Sequence, residues 1–376
     1  MSILLILLIL FPYIIYPLLV IILGSIFKKE IIKQDIFPSV TFMIAAYNEE
    51  DSIIEKLNNS LSIDYPTDKF EIVVVSDASS DKTDEIVKHN FPTVKLIRVE
   101  GRVGKTEARN TAMKEVTSDI TVFSDATTEY DSNAIKLLMR SFADESVGMV
   151  TGHLKYKDDQ GTQMGIGQKL FWKFESIIKT SQTNLGSLTG SIGCITAFRT
   201  QAYHLLPPNI IEDFTGPLFF IQKGYRVVSE PEAICFEETT KKPINEWSMR
   251  VRVIRGGMTG LIHAKAVLNP LRFPVASFQL ISHKVLRWLA PVFAILLAIF
   301  SIVDVINLDN TFSWFILSLQ LLFYLSVLVA YGLSFLSIRP KLLGIPLYFF
   351  IINLASLKAL YKTATSQLES TWETQR

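Results

Sequence analysis

Charge is scarce at both ends of this sequence. Of its 37 Lys and Arg and 36 Asp and Glu, none lies in residues 1–27 and only ten lie in residues 285–376. That excludes a fully soluble enzyme as a reading of the whole chain. The 257 residues between them carry charge at about a quarter of positions, the ordinary soluble density, which excludes a bundle of membrane helices alone. With 49% hydrophobic residues the chain is no disordered scaffold either. Neither sign of charge is in excess: the formal net charge is +1, so bulk electrostatics gives no basis for binding nucleic acid. Cysteine is nearly absent, and Cys194 and Cys235 fit no metal-ligand spacing and no disulfide framework. They read as two reduced thiols packed in a cytosolic domain. No internal repeat or low-complexity segment occurs.

What is present are four apolar stretches long enough to cross a bilayer, at residues 3–27, 285–305, 312–338 and 342–360. The first is too long for the apolar part of a signal peptide, and its basic pair, Lys28 and Lys29, follows the run instead of preceding it. The positive-inside bias then places those lysines and the charged middle in the cytoplasm, with Met1 outside. A multi-pass protein of the plasma (inner) membrane is expected. The loop 307–311, without Lys or Arg, fits the outside, and Arg339 and Lys341 fit the inside. Asp304, near the end of a span, is taken as the candidate for an ionisable residue on a path through the membrane. The expected organisation is a membrane helix at 1–27, a catalytic-size domain at 28–240, amphipathic interface helices at 241–284, three membrane helices at 285–362 and a polar tail at 363–376.

The first half of the soluble part alternates short apolar runs with helical periodicity. Residues 39–46, 71–76, 94–99, 120–123 and 147–152 read as strands, and 51–61, 81–88, 105–116 and 132–141 as helices. That alternation predicts an α/β domain with a mostly parallel, doubly wound sheet. Ligands of such sheets bind at the carboxyl ends of the strands, where this sequence puts Tyr47-Asn48-Glu49, Asp77 and Asp125. The second half is less regular, with helices at 168–184 and 212–223 and a strand at 194–199. Residues 241–265 place Trp247, Val251, Ile254, Met258 and Leu261 on one helical face, flanked by Arg250 and Arg255. We expect that helix to lie in the membrane interface with its apolar face on lipid; the alternative is a core-facing helix.

Several groups can carry chemistry, each with a plainer reading beside it. Asp77 opens a turn of small residues that could present its carboxylate to ribose or base, or serve as a helix cap, a role that Asp81 fills better. Gly101-Arg-Val-Gly104-Lys105 can cradle an anion at a helix start, or be a simple turn; its spacing is not that of a P-loop. Asp125 ends an apolar strand and could hold Mg²⁺ or Mn²⁺ against phosphate oxygens, or cap a turn. Glu212-Asp213 is either a helix-start acidic pair or the seat of a general base.

Taken in order, Asn48-Glu49-Glu50, Asp77, Gly104-Lys105, Asp125, Gly190-Ser191-Ile192-Gly193, Glu212-Asp213 and the Arg250/Arg252/Arg255 helix, with membrane spans after it, resemble the membrane-integrated glycosyltransferases of family 2. These include the relatives of chitin-oligosaccharide, hyaluronan and cellulose synthases, and the resemblance covers about residues 39–300. It implies a GT-A fold and an inverting transfer from a nucleotide sugar, usually a UDP-sugar, to a lipid-linked or saccharide acceptor. It implies that Ala45, Tyr47, Glu49, Asp77, Lys105, Asp125 and Arg255 bind the donor, with Asp125 as the metal-binding acid for Mg²⁺ or Mn²⁺. Asp213, beside Glu212, would be the general base, and Arg252 would steady the departing diphosphate, where fixed cations help most. Gly190, Ser191, Gly193 and Arg250 would meet the acceptor.

The sequence departs from the pattern in two places. Thr127 stands where the second acid of Asp-x-Asp is expected, and Met249 and Val253 replace the Gln and Trp of Gln-x-x-Arg-Trp. In the family that Trp stacks on the acceptor sugar, so transfer of one sugar or a short chain is preferred over a processive synthase that exports its product. A transporter or receptor with a nucleotide-sensing domain, and an inactive assembly partner, are the readings from other classes. The sequence leaves any polysaccharide-assembly partner unnamed.

Overall fold

The computed structural model of the protein describes residues 1–157, 163–208, 210–238, 243–308, 310–335 and 341–365. Arg339, the start of the 241–265 stretch and most of the tail at 363–376 lie outside the described residues.

Among the described residues eight strands form one sheet: β1 Val40–Ala46, β2 Phe70–Ser76, β3 Lys95–Arg98, β4 Ile120–Asp125, β5 Glu129–Tyr130, β6 Val147–Lys157, β7 Thr196–Arg199 and β8 Arg226–Glu238. Their order is β3-β2-β1-β4-β7-β6-β8-β5. β1 runs parallel to both β2 and β4, with Ala46 opposite Ser76 and Ala45 opposite Asp125. This register brings the ends of three strands to one edge, and Tyr47, Asp77 and Asp125 follow from it. Alternation along β1 and β2 explains the unbroken apolar runs. Phe42, Ile44, Ile72 and Val74 enter the core on one face, and Met43, Val73 and Val75 enter the other.

The expectation of a mostly parallel sheet holds for β1 to β4 and for β6 beside β8, and antiparallel pairings are added to it. β7 is antiparallel to both β4 and β6, and β5 is antiparallel to β8, so the sheet is mixed. β8 was not anticipated, because Glu230-Pro231-Glu232 interrupts its apolar pattern. The structure absorbs that interruption as a register shift against β6 between Thr151 and His153.

Among the described residues four helices are long and apolar enough to cross a membrane: Ser2–Ile26, Pro274–Asn307, Thr311–Leu333 and Gly344–Thr365. The second begins eleven residues before the apolar run predicts, through a π-helical turn at Leu280–Val285. A similar π turn, Phe11–Ile15, surrounds Pro12 in the first helix, where the missing amide hydrogen disturbs the helical ladder. The lower part of that helix rests on the soluble domain: Tyr16 and Val20 bury against Ile178 of the Gln163–Asn184 helix.

The Pro243–His263 helix corrects the expected interface helix. Val251, Ile254 and Met258 are buried against Ala355 and Ala359 of the last membrane helix, and Leu261 joins the soluble core. The stripe therefore meets protein, not lipid. Helical periodicity identifies a face to be covered but cannot say by what. On its other side, a Cβ added at Gly256 would strike the Ile211 side chain, and one at Gly260 would strike Thr215. The helix thus lies directly on the Glu212–Gln222 segment. Gly260→Ala is expected to cost about 1–3 kcal/mol from overpacking. A thermal unfolding midpoint unchanged from the parent would contradict that contact.

Candidate active site

The carboxyl edge of the sheet collects an alternating set of acids and bases. Asn48 and Ala78, just past β1 and β2, both have positive φ (53° and 56°), a conformation that non-glycine residues adopt mainly where surroundings impose it. The loop after β3 reaches this edge, and the Asp77 carboxylate accepts backbone N–H bonds from Val103 (2.8 Å) and Gly104 (3.0 Å). Gly104 itself has φ 89° and starts the Lys105–Met113 helix. Arg102, from the same loop, lies over the Tyr47 ring at 4.0 Å. Asp77 is thereby the clamp of the 101–104 loop, a role that sequence spacing did not suggest. Glu49 is buried at the turn after β1, accepting a hydrogen bond from Ser52, with its backbone N–H on Thr83.

Asp125, at the end of β4, is held by two cations on the same oxygen. Lys105 Nζ lies 2.6 Å and Arg109 Nη2 3.1 Å from Oδ1. Burial pushes the Asp125 carboxyl up, but Lys105 and Arg109 outweigh it and hold it below the ordinary range. Arg109 is fully buried, stacks over Phe123 at 4.3 Å, donates to the Ser124 carbonyl and pairs through Nη1 with Glu212. One guanidinium thus joins the end of β4 to the start of the Glu212–Gln222 helix. Sequence reading overlooked Arg109, although Lys105 and Arg109 are four residues apart and share a helical face.

Asp213 sits beside this network with its carboxyl raised above the ordinary value. Burial is the main cause, opposed by Lys105 and Lys179 and reinforced by Glu212 and Asp125. The 190–193 segment lies against it. Ser191 donates its backbone N–H (2.7 Å) and hydroxyl (3.1 Å) to the Asp213 carbonyl, and a Cβ on Gly193 would stand 3.4 Å from the Asp213 Cβ. A pocket lined by Ser191, Gly193, Glu212, Asp213 and the aromatic rings of Phe198 and Tyr203 opens here. Arg252 lies within electrostatic reach of the acids: burial lowers its pKa, and Asp213 and Asp125 oppose that shift. Arg255 is half-buried one turn further along the same helix, next to the packed Gly256. Val253, where the resemblance expects Trp, is exposed. Arg250 turns elsewhere, donating to the Tyr348 hydroxyl of the last membrane helix at 2.6 Å.

Two further ionisable groups, neither foreseen, border Asp125. Lys56 is buried beneath it, donating to Ser124 Oγ (2.8 Å) and the Thr128 carbonyl (2.6 Å), and burial lowers its pKa to about 7. Glu237, near the end of β8, is raised to about 7 by burial and by the negative charge of Asp125, with Lys105 opposing. Among the described residues no group of three or more His, Cys, Asp or Glu could enclose a metal ion. Asp125 and Glu237 nonetheless supply two hard oxygen donors that repel each other, and both cationic contacts of Asp125 fall on Oδ1. That suits a divalent ion bound through one or two carboxylates, with phosphate oxygens and water completing the shell.

Comparison with known proteins agrees with this geometry. Residues 41–206 match the family model described as Glycosyl transferase family 2. The chain is 30% identical over 260 residues to a poly-beta-1,6-N-acetyl-D-glucosamine synthase of Staphylococcus aureus (strain MSSA476), a match covering 67% of this chain and 62% of that protein. It is 27% identical over 228 residues to the corresponding synthase of Staphylococcus epidermidis, covering 58% and 54%. The chain therefore spans less than two thirds of the length of the curated relatives it matches. Among solved structures, a mannosyltransferase from Pyrobaculum calidifontis in complex with GDP-Man and Mn²⁺ superposes with a TM-score of 0.70 at 22% identity, over 97% of this chain and 98% of that one. The likeness to that enzyme shows the fold. With the sheet edge, the acids and the family match in agreement, this membrane protein carries a glycosyltransferase family 2 domain of GT-A fold.

Proposed function

We propose that the chain is an inverting glycosyltransferase that moves a sugar from a nucleotide donor, a UDP-sugar by preference, to a lipid-linked or membrane-delivered acceptor in cell-surface glycan or glycolipid synthesis. The observation that carries this reading is Asp213. A carboxyl of raised pKa lies against the 190–193 segment and is linked through the Glu212–Arg109–Asp125 network to the donor edge of the sheet.

Each role follows from chemistry at that position. Asp213 accepts the proton of the acceptor hydroxyl as its oxygen attacks the anomeric carbon, and a raised pKa makes its ionised form a stronger base. Tyr47, Glu49 and Asp77 form the nucleotide end, Asp77 by holding the loop that faces it. Lys105, Arg252 and Arg255 lie where the diphosphate departs, and fixed positive charge lowers the barrier as that group gains negative charge. Asp125 and Glu237 would hold the divalent ion, which when bound supplies Lewis-acid neutralisation of the diphosphate. Glu237→Gln is expected to weaken Mn²⁺ binding to the protein at least tenfold, read by the paramagnetic signal of free ion. Unchanged Mn²⁺ affinity would remove Glu237 from the site.

The soluble domain faces the cytosol in this reading, with the N-terminus outside, since Lys28 and Lys29 follow the first span. The relatives' names favour an N-acetylhexosamine donor, and processive synthesis is the second reading for the same reason. The exposed Val253 favours single transfer, because an aliphatic side chain gives a sugar ring much less stacking surface than Trp. Nucleotide release from a panel of UDP-, GDP- and dTDP-sugars, with membrane lipid extract as acceptor, tests the proposal. Release from one donor that depends on the extract is expected, and release from none would contradict it. A ladder of long products would favour the processive reading.

A further inference from the structure

Lys56 is a buried cation that the transfer chemistry leaves unused. It stands on the Ile53–Leu61 helix and is 2% exposed, over the Tyr130 ring at 4.6 Å and the Phe42 ring at 5.1 Å. Its short hydrogen bonds go to neutral oxygens, Ser124 Oγ at 2.8 Å and the Thr128 carbonyl at 2.6 Å. Burial lowers its pKa to about 7, so the ammonium is a cost to folding. An apolar side chain of similar length would fill the space without that cost, so packing alone does not account for a lysine. One turn on, Asn59 accepts the Tyr130 N–H at 2.8 Å and donates to the Tyr130 carbonyl at 3.0 Å. One face of this helix therefore holds residues 128 and 130 together.

Those residues connect two acids. After Asp125 the chain turns through Ala126 and Thr127, and the Thr128 hydroxyl donates back to the Asp125 carbonyl at 3.0 Å. It then enters β5, which places Glu129 opposite Phe236 and Tyr130 opposite Cys235 of β8. Glu237 is the next residue of β8. A two-residue strand is too short to hold its own place. Lys56 and Asn59 thus decide where the 125–130 segment lies against β8. Thr127 is exposed and offers no carboxylate, so ion binding depends on how Asp125 and Glu237 stand to each other. Resting on the metal site proposed above, we propose that Lys56 and Asn59 are positioning residues, which set Asp125 and Glu237 at the spacing that lets both carboxylates hold one divalent ion. A purely electrostatic effect of Lys56 on Asp125 has the opposite sign, because a nearby positive charge repels the ion.

The test follows Mn²⁺ binding to the full chain in nanodiscs by the paramagnetic signal of free ion, beside the thermal unfolding midpoint. Lys56→Met is expected to weaken Mn²⁺ binding at least tenfold, and Asn59→Leu, which alters no charge, at least threefold. Both should unfold within about 5 °C of the parent. In a Glu237→Gln background neither change should weaken binding much further, because the partner whose place they set is already lost. General damage predicts losses that add in full. Unchanged or tighter Mn²⁺ binding by Lys56→Met would overturn the proposal, and so would additive losses. Should Lys56→Met not fold, unchanged affinity or an additive loss in Asn59→Leu overturns it equally. A parent that binds no Mn²⁺, or a Glu237→Gln variant that binds it like the parent, discards the shared metal site and this proposal with it. Nucleotide release by the parent on lipid extract, read in the same preparations, then shows whether the transferase reading stands without it.

Discussion

Asp213→Asn is expected to lower sugar transfer at least a thousandfold while nucleotide-sugar affinity changes less than threefold. The amide keeps the size and most contacts of the carboxylate, including the backbone carbonyl that receives both Ser191 hydrogen bonds. What it loses is the ability to take a proton. General base catalysis contributes about 10²–10⁴ in rate, which sets the magnitude. The parent's pH dependence carries the same signature. A base must be ionised, so transfer falls as pH drops through the carboxyl's pKa, and that limb should lie above the ordinary carboxylate range because burial raises Asp213. Titrating kcat and donor affinity for both proteins checks this. A variant that turns over normally, or loses donor affinity along with rate, removes Asp213 from the base role.

Arg109→Met should be the most destabilising single change at the site. The side chains match in length and apolar stem, yet the substitution leaves Asp125 and Glu212 without a shared counter-charge. Breaking a buried ion pair from one side costs about 3–5 kcal/mol, because the remaining charge stays buried and unpaired. Glu212 Oε1 already lacks a hydrogen-bond partner, so little local compensation is available. Denaturant unfolding of the purified protein, with Lys105→Met as comparison, measures the difference. Lys105 is partly exposed and bound to Asp125 alone among the ion pairs of this edge, so its loss should cost much less. Equal effects would mean that Arg109 does not bridge the two elements.

The parts of the site legible in the sequence are those that sit at the ends of elements. Asp125 ends an apolar strand, Asp77 opens a turn and Lys105 starts a helix after glycine, so each announces itself by position. Asp213 gained meaning only from its order among the others. Arg109, Lys56 and Glu237 were not legible because each is an ordinary polar residue within a helix or strand. Their burial is created by the register of β1 with β4 and by the approach of β8, contacts between residues about 70 or more positions apart.

The same logic accounts for the fold. The parallel half follows from alternating strand and helix signals, whereas the antiparallel placement of β7 and the length of β8 depend on pairings that no local pattern encodes. The Pro243–His263 helix shows where the border between charged and uncharged sequence leads. Its apolar stripe is covered by the last membrane helix, its glycines lie on the Asp213 segment, and Arg252 is within electrostatic reach of the acids. Soluble domain and membrane helices are thus joined at the site itself, and the acceptor is expected to arrive there from lipid.

The central claim, transfer from a nucleotide sugar to a membrane acceptor at Asp213, is tested most directly by following label. The full chain in proteoliposomes made with native lipid extract is given a radiolabelled nucleotide sugar, and the label is partitioned between organic and aqueous phases. The account predicts label in the organic phase for the parent and none above background for Asp213→Asn. Label that stays entirely water-soluble, or that enters the lipid equally with both proteins, would contradict it.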